Sequence, residues 1–174
     1  MPHRREPPVT PRAFAAVADA PLHLALVEPE IPPNAGNVAR LCAATGCALH
    51  LVEPLGFSIA DRDLKRAGLD YWDRVALVVH PSLTAFLDAT ASRSRWFFST
   101  RGRQRYPVAA YARGDVLIFG KETQGLPADL LARYPERVLR IPMRDGAVRS
   151  INLSTAVGIA AYAALAAIGF PNLS

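Results

Sequence analysis

Short apolar runs punctuate the chain and alternate with longer stretches in which apolar residues recur at helical spacing. The runs are rich in Val, Leu and Phe, a composition that favours buried strands over helix segments of the same length. The predicted strands are Leu22–Val27, Ala48–Val52, Val75–Val79, Trp96–Ser99, Val116–Phe119 and Val138–Ile141.

Helical stretches fill the intervals between these strands. Gly46 and Gly68 are placed to end two of them, and Ser82 is placed to cap the start of a third. Strands and helices that alternate in this way predict an α/β fold, with a largely parallel sheet and helices on both faces. The predicted helices are Ala35–Thr45, Asp61–Ala67, Ser82–Ala91, Pro127–Ala132 and Asn152–Ile168.

Three polar segments, residues 34–40, 119–127 and 141–154, each follow a predicted strand. Ligands of α/β proteins bind at the loops that leave the carboxyl ends of strands, so the segments predict one composite site. The first segment opens a helix, as a dinucleotide-binding turn does, but it has one glycine where that turn needs three. A Rossmann oxidoreductase is therefore disfavoured.

Composition indicates one globular domain, because 51% of the 174 residues are apolar and only 20% are charged. Residues 1–20 lack a secretory signal and predict a flexible tail, which leaves residues 21–174 as the domain. Cys42 and Cys47 fit neither a redox pair nor a zinc spacing, which predicts reduced core thiols in a cytoplasmic protein.

The final 25 residues carry no charge, and their length would permit a membrane span. Asn152, Ser154 and Thr155 are polar, however, and alanine dominates the rest, so the segment predicts a buried helix. Its many small side chains allow close approach by another helix, which favours a subunit contact.

A net charge of +5 and a pI near 9.7 favour an anionic partner. Between Asp88 and Asp115 the chain has arginines and no acid, and the rings of Tyr106 and Tyr111 are suited to stack on unpaired bases. The alternative is a solvated loop whose arginines cover apolar surface. The arginines of this cationic stretch are Arg93, Arg95, Arg101, Arg103, Arg105 and Arg113.

The first two polar segments hold candidate chemistry. Arg40 follows Asn37 by one helical turn, and it suits either a surface ion pair or a phosphate or developing alkoxide near the helix start. Gly120 and Gly125 bracket Glu122, and a carboxylate held in this way more often orients a ligand than stabilises a fold.

The third polar segment offers Ser150 and Asn152 at the start of the last helix, where backbone N–H groups lack partners. Ser150 is also placed to act only as a cap. The preceding Ile141-Pro142-Met143 has a backbone suited to hydrogen-bond a flat heterocycle, with apolar cover from Ile141 and Met143.

Together these segments resemble the small tRNA 2'-O-methyltransferases of the SPOUT superfamily, over roughly Leu22 to Pro171. The nearest subgroup methylates the ribose of the wobble cytidine or uridine of tRNA. Two alternatives stay open: a SPOUT enzyme with another tRNA position or ribosomal RNA as its target, and a catalytically silent RNA-binding relative. The resemblance is carried by residues 28–37, 40–43, 66–71, 119–127 and 141–154.

The resemblance implies an α/β fold with a C-terminal trefoil knot, a homodimer, and S-adenosylmethionine as the methyl donor, with no metal. Lys121 departs from the subgroup, which often has proline there. The positions that the resemblance assigns to the methyl donor are Phe98, Ser99, Thr100, Gly120, Glu122, Gly125, Ile141, Met143, Ser150, Asn152 and Leu153.

The resemblance implies a catalytic role for Arg40, and we add the hypothesis that further residues act in catalysis and in binding RNA, with two subunits sharing one anticodon stem-loop of tRNA. The expected catalytic residues are Arg40, Asn37, Ser150 and Tyr162. The expected RNA-binding residues are Arg40, Lys65, Arg66, Arg101, Arg103 and Arg144.

Overall fold

In a computed structural model, which describes residues 17–59 and 74–174, the described strands form one seven-stranded sheet. Every pairing between neighbouring strands is parallel, and the strand order is β3-β2-β1-β6-β4-β7-β5. The strands are β1 His23–Val27, β2 Ala48–Val52, β3 Leu77–His80, β4 Arg95–Phe98, β5 Gln104–Arg105, β6 Val116–Phe119 and β7 Val138–Arg140.

Helices cover both faces of the sheet, as the alternating pattern predicts. Two helices, α1 and α4, pack against each other and against one face, while α2 and α3 cover the opposite face. The α-helices with described bounds are α1 Pro32–Thr45, α2 Leu83–Ala89, α3 Ala128–Arg133 and α4 Leu153–Ala167. The predicted helix Asp61–Ala67 lies outside the described residues.

The start of α1 differs from the prediction by one turn. The helix begins at Pro32, and prolines occupy its first positions, where a missing N–H costs nothing. At the other end Gly46 takes φ +74°, and its N–H donates to the Cys42 carbonyl. The predicted glycine stop of this helix is thus confirmed. Ser82 caps α2, since its Oγ accepts from the Ala85 N–H at 3.1 Å.

Apolar strand residues alternate between the two faces and make two layers of core. Leu24, Leu26 and Leu49 pack under α1 and α4, whereas Ala25, Val27 and Phe97 belong to the other layer. Cys42 and Cys47 are buried free thiols, as predicted. Ala20, which the sequence assigned to the tail, is also buried, so the domain extends at least to that residue.

Three buried histidines cross the sheet on β1, β2 and β3. His23 Nδ1 lies 2.9 Å from His50 Nε2, and His50 Nδ1 lies 2.9 Å from His80 Nε2. Among the described residues the buried His23 Nε2 has no partner. Unpaired buried N–H groups are rarer than unpaired acceptors, so we assign the protons to the Nδ1 atoms of His23 and His50. We call this row the histidine ladder.

Candidate active site

A cavity of about 860 Å³ opens at the carboxyl ends of the adjacent strands β1, β6, β4 and β7. All three polar segments contribute to its wall, so their predicted convergence is confirmed. Whether S-adenosylmethionine fills it stays a prediction. The lining includes every position that the resemblance assigns to the methyl donor: Phe98, Ser99, Thr100, Gly120, Glu122, Gly125, Ile141, Met143, Ser150, Asn152 and Leu153.

Glu122 joins the second polar segment to the chain ahead of α1. One carboxylate oxygen accepts from the Glu30 N–H at 2.7 Å, and the other accepts from the Ile31 N–H at 3.1 Å and from Asn34 Nδ2 at 3.0 Å. Bonds from donors to a charged carboxylate are among the stronger hydrogen bonds in proteins. The negative charge also lies at the positive end of the helix dipole. Glu122 therefore has a structural role as well as a place in the cavity wall.

Glu30 makes the reciprocal contact, from the chain ahead of α1 to the second polar segment. Its carboxylate accepts from the Thr123 N–H at 3.1 Å and from the Thr123 hydroxyl at 2.9 Å. Each of the two segments thus supplies a carboxylate to the other, and the pair of loops is held by reciprocal bonds.

Asn34 extends these bonds to the third segment. Its Nδ2 donates to Glu122, and its Oδ1 accepts from Asn152 Nδ2 at 3.0 Å. Asn152 in turn caps α4, because its Oδ1 accepts from the backbone N–H groups of Ser154 and Thr155. A continuous row of side chains, Glu122, Asn34 and Asn152, therefore ties all three segments together.

The second segment folds into a loop too tight for a side chain at its first glycine. A Cβ on Gly120 would lie 2.0 Å from the Gly125 carbonyl carbon and 2.2 Å from the Leu126 nitrogen. Gly125 takes φ +67°, and its N–H donates to the Lys121 carbonyl at 2.9 Å. Both glycines are needed for this backbone path.

Lys121, the departure from the subgroup, forms an ion pair at the mouth of the cavity. Its Nζ lies 2.9 Å from Glu28 Oε2, directly after β1. The carboxylate raises the pKa of the Lys121 ammonium group. The pair is half-exposed, so its contribution to stability is modest, and its main effect is to fix where the two side chains point.

The cationic stretch divides into two groups. Arg93, Arg95 and Arg113 donate to backbone carbonyls of Gly114, Leu87 and Asp19. The side chains of Arg101, Arg103 and Arg105 are exposed, and Arg101 also lines the cavity. Arg113 is exposed as well, whereas Arg93 and Arg95 are half-buried, so the stretch is partly structural.

Tyr111 corrects one sequence interpretation. Its ring is buried against Trp96 with the ring centroids 5.7 Å apart, and its hydroxyl donates to the Tyr106 carbonyl at 2.7 Å. Burial raises the pKa of this phenol, and a ring held in the core cannot stack on a base. Tyr106 is half-buried and packs against the same core.

The remaining predicted site residues lie away from the cavity lining. Asn37 and Arg40 are exposed on α1. Tyr162 is exposed on α4, with its ring 6.4 Å from that of Phe170. Arg103 and Arg144 are exposed on loops, and Lys65 and Arg66 lie outside the described residues. The structure therefore brings the donor-site candidates together, but not the catalytic set.

Sequence reasoning missed part of the cavity. Asn34 begins the first segment, yet its two bonds depend on residues far along the chain. Glu30 lies inside the resembling run, but only the fold reveals its link to Thr123. Arg149 lines the cavity beside Ser150. The sequence could have indicated it, because it directly precedes Ser150.

Membrane spans and metal clusters are both missing from the described part of the chain. Over residues 17–59 and 74–174, no helix is long and apolar enough to cross a membrane. Over the same ranges, no three side chains of His, Cys, Asp or Glu group in a way that could hold a metal ion.

A parallel sheet with helices on both faces and a cavity built from three strand-end loops defines an α/β ligand-binding fold. The model of the SpoU rRNA Methylase family matches residues 21–162 of this chain. The chain belongs to the SpoU rRNA Methylase family.

Named relatives of similar length match almost end to end. A tRNA (cytidine(34)-2'-O)-methyltransferase of Burkholderia ambifaria is 51% identical, over 83% of this chain and 94% of the relative. The enzyme of the same name from Escherichia coli K12 is 46% identical, over 86% of this chain and 96% of the relative. A solved structure described by the 2-OH methylation of C/U34 on tRNA has a TM-score of 0.78 and 53% identity, and covers 82% of this chain and 93% of that one.

Proposed function

We propose that this protein transfers a methyl group from S-adenosylmethionine to the ribose 2'-hydroxyl of the wobble nucleotide of tRNA. The observation that carries the proposal is the convergence of three distant segments on one cavity. Relatives named for this reaction at 46–51% identity over most of both chains support the choice of substrate.

The cavity suits a nucleoside that carries an amino-acid chain. Its volume of about 860 Å³ is within the range of small-molecule sites. Half-buried Ile141 and Met143 offer apolar cover to a flat base, and the Ser150 hydroxyl can donate and accept. The Asn152 amide uses one N–H for Asn34, which leaves a second for a ligand.

Methyl transfer requires the donor and the attacking hydroxyl to be held in line while the hydroxyl loses its proton. The bound donor supplies an activated methyl group. A guanidinium has a pKa above about 12 and is a poor proton acceptor at neutral pH, so Arg40 acts in our proposal by attracting phosphate and nascent alkoxide. Asn37, one turn earlier on the exposed face of α1, assists it.

Exposed arginines in the cavity lining support RNA as the partner. Arg101 and Arg149 line the cavity, and Arg103 and Arg144 are exposed close to them in sequence. Lys65 and Arg66 belong to the same proposal, on sequence grounds.

A homodimer is part of the proposal. Tyr162 and Phe170 are 48% and 40% exposed and touch each other at the end of α4, which makes an apolar spot suited to a second copy. Partner contact would also give Tyr162 the catalytic place that one chain alone does not support. The trefoil knot and a cytoplasmic location remain expectations from the resemblance and from the free thiols.

The test is incubation of the protein with labelled S-adenosylmethionine and unfractionated tRNA from a strain that lacks it. We expect label on the ribose of the wobble nucleotide, mapped by nuclease digestion. Label on a base, or at a nucleotide outside the anticodon, would overturn the target assignment. Uptake of the donor without any transfer would indicate a silent relative.

The Arg40→Lys variant is assayed beside the wild type. Lysine keeps the charge but loses the two-pronged geometry of the guanidinium, so turnover should fall at least tenfold if Arg40 grips two oxygens. Near-wild-type turnover would refute that requirement. Glu136→Gln, a change of an exposed carboxylate outside the cavity lining, serves as the control.

A further inference from the structure

A second cavity of about 340 Å³ adjoins the first, and we call it the side cavity. Five residues line both spaces, so the loop from Lys121 to Leu126 is a common wall. The shared residues are Arg101, Lys121, Gln124, Gly125 and Leu126, and the side cavity adds Val27, Glu28, Pro127 and Ala128.

The side cavity combines an apolar surface with polar groups. Val27 and Leu126 are buried core residues that contribute apolar wall, and Pro127 adds a rigid ring. Glu28 and Gln124 bring a carboxylate and an amide to the same space. Arg101 and Lys121 also line it, so the apolar wall is accompanied by convergent polar and charged groups.

The polar groups keep hydrogen-bonding capacity for a ligand. Glu28 Oε2 accepts from Lys121 Nζ at 2.9 Å, which holds the carboxylate in place and leaves its other oxygen. Within residues 17–59 and 74–174, neither the Gln124 amide nor the Arg101 guanidinium has a hydrogen-bond partner. An amide both donates and accepts, whereas a carboxylate only accepts.

We propose that the side cavity receives the pyrimidine base of the nucleotide to be methylated, with Glu28 and Gln124 at its polar edge. This inference rests on the proposed function. If the large cavity holds the methyl donor, the attacking ribose must lie at its rim, and the adjoining space across the shared wall is where the attached base can go. The smaller volume is ample for a pyrimidine base.

Base selectivity follows from the polar groups. Cytosine presents an amino donor where uracil presents a carbonyl acceptor, and a carboxylate pairs with the first and repels the second. Glu28 therefore favours cytidine. Gln124 can turn its amide to suit either base, so uridine is accepted at a lower rate.

The experiment measures kcat/KM on two anticodon stem-loops that differ only in cytidine or uridine at the wobble position. In Glu28→Gln we expect the cytidine-to-uridine ratio to fall roughly tenfold, because the new amide no longer repels uracil. In Gln124→Leu, kcat/KM should fall about tenfold for both. The affinity for S-adenosylmethionine, measured by calorimetry, should stay within about twofold of wild type in Glu28→Gln, because Glu28 does not line the large cavity.

Lys121→Gln removes the ion pair but keeps the carboxylate, so the cytidine-to-uridine ratio should fall less than in Glu28→Gln. An unchanged ratio in Glu28→Gln overturns the assignment. An equal fall of the cytidine-to-uridine ratio in Lys121→Gln, together with weaker donor binding, also overturns the assignment. The loop would then act only as a wall of the large cavity. Should the wild type bind the donor but methylate neither stem-loop, the proposed function itself is wrong.

Discussion

Single residues hold the site together through side chains that bond to each other, and Asn34 has two such partners. It is 4% exposed, donates to Glu122 and accepts from Asn152. A buried amide with both ends paired contributes stability, and removing it leaves its partner groups short of a hydrogen bond. The three segments therefore depend on one short side chain for their relative placement.

Replacing Asn34 by alanine should lower the free energy of unfolding by about 1–3 kcal/mol, because Asn152 Nδ2 and one Glu122 oxygen each lose a partner. Urea denaturation measures the change. Asn37→Ala is the control on the same helix, and since its side chain is exposed the expected change is within about 0.5 kcal/mol. Equal losses in both variants would indicate a general effect on α1.

At this scale the sequence predicted which residues gather but not how they bond. Glycines around Glu122 and polar residues at strand ends are local patterns, and they sufficed to indicate the cavity. The partners of Glu122 lie 88–92 residues away, and such pairing is decided by the packed fold. The same reason explains why Tyr111 looked free in sequence and is buried in the structure.

Among the elements, β1, β2 and β3 share the histidine ladder, and its buried position has an energetic consequence. Burial, followed by the Arg93 charge, lowers the pKa of His23 to about 4. Burial and the neighbouring His23 and His80 rings lower the pKa of His50 to about 3, and burial also lowers the pKa of His80. The folded ladder is therefore neutral where an unfolded chain, with histidine pKa near 6.5, takes up protons.

Acid should destabilise the protein through this ladder. The contribution of the ladder to the free energy of unfolding is fully present above pH 6.5. It is lost as the pH falls toward the histidine pKa values of the folded protein, since the unfolded state then binds more protons. Between pH 6 and 5, His23 and His50 together should remove up to about 2.7 kcal/mol of unfolding free energy. Urea titrations at several pH values measure this slope.

His23→Asn isolates one titrating group of the ladder. Its amide can still donate toward His50, but it does not titrate, so the slope should fall by about 1.4 kcal/mol per pH unit. An identical slope in wild type and variant would mean that the acid sensitivity comes from other groups.

Elements were predicted most fully where apolar runs are long. The four strands at the cavity were predicted from their apolar runs alone. Strand β5 was missed because Gln104–Arg105 is a two-residue polar strand held by pairing with β7. The early start of α1 at Pro32 was missed for a related reason. Pro32 and Pro33 looked like loop residues, yet proline is acceptable in a first helical turn.

For the whole molecule, the net charge of +5 bears on how RNA would be held. Arg101, Arg103 and Arg105 have exposed side chains, while other arginines of the cationic stretch bond to backbone carbonyls. Charge alone predicted an anionic partner, but only the fold separated the exposed cations from the structural ones.

Affinity for tRNA should therefore fall steeply as salt rises, because each phosphate that the protein neutralises releases counterions. Replacing Arg101 and Arg103 by alanine should reduce the slope of log K against log salt by about 0.7–0.9 for each phosphate no longer neutralised, as measured by filter binding over a salt series. Arg133→Ala, outside the cationic stretch, should leave the slope unchanged. A flat response in the wild type would argue against this mode of binding.

The fit of Gly120 against the backbone of Gly125 and Leu126 has a consequence for other chains of this fold. Even a methyl group there would force the second loop onto another path and change the space enclosed beside it. A protein that shares the sheet but carries any other residue at this position cannot build the same chamber. The residue at this position thus distinguishes chains that can hold the ligand from chains that share only the fold.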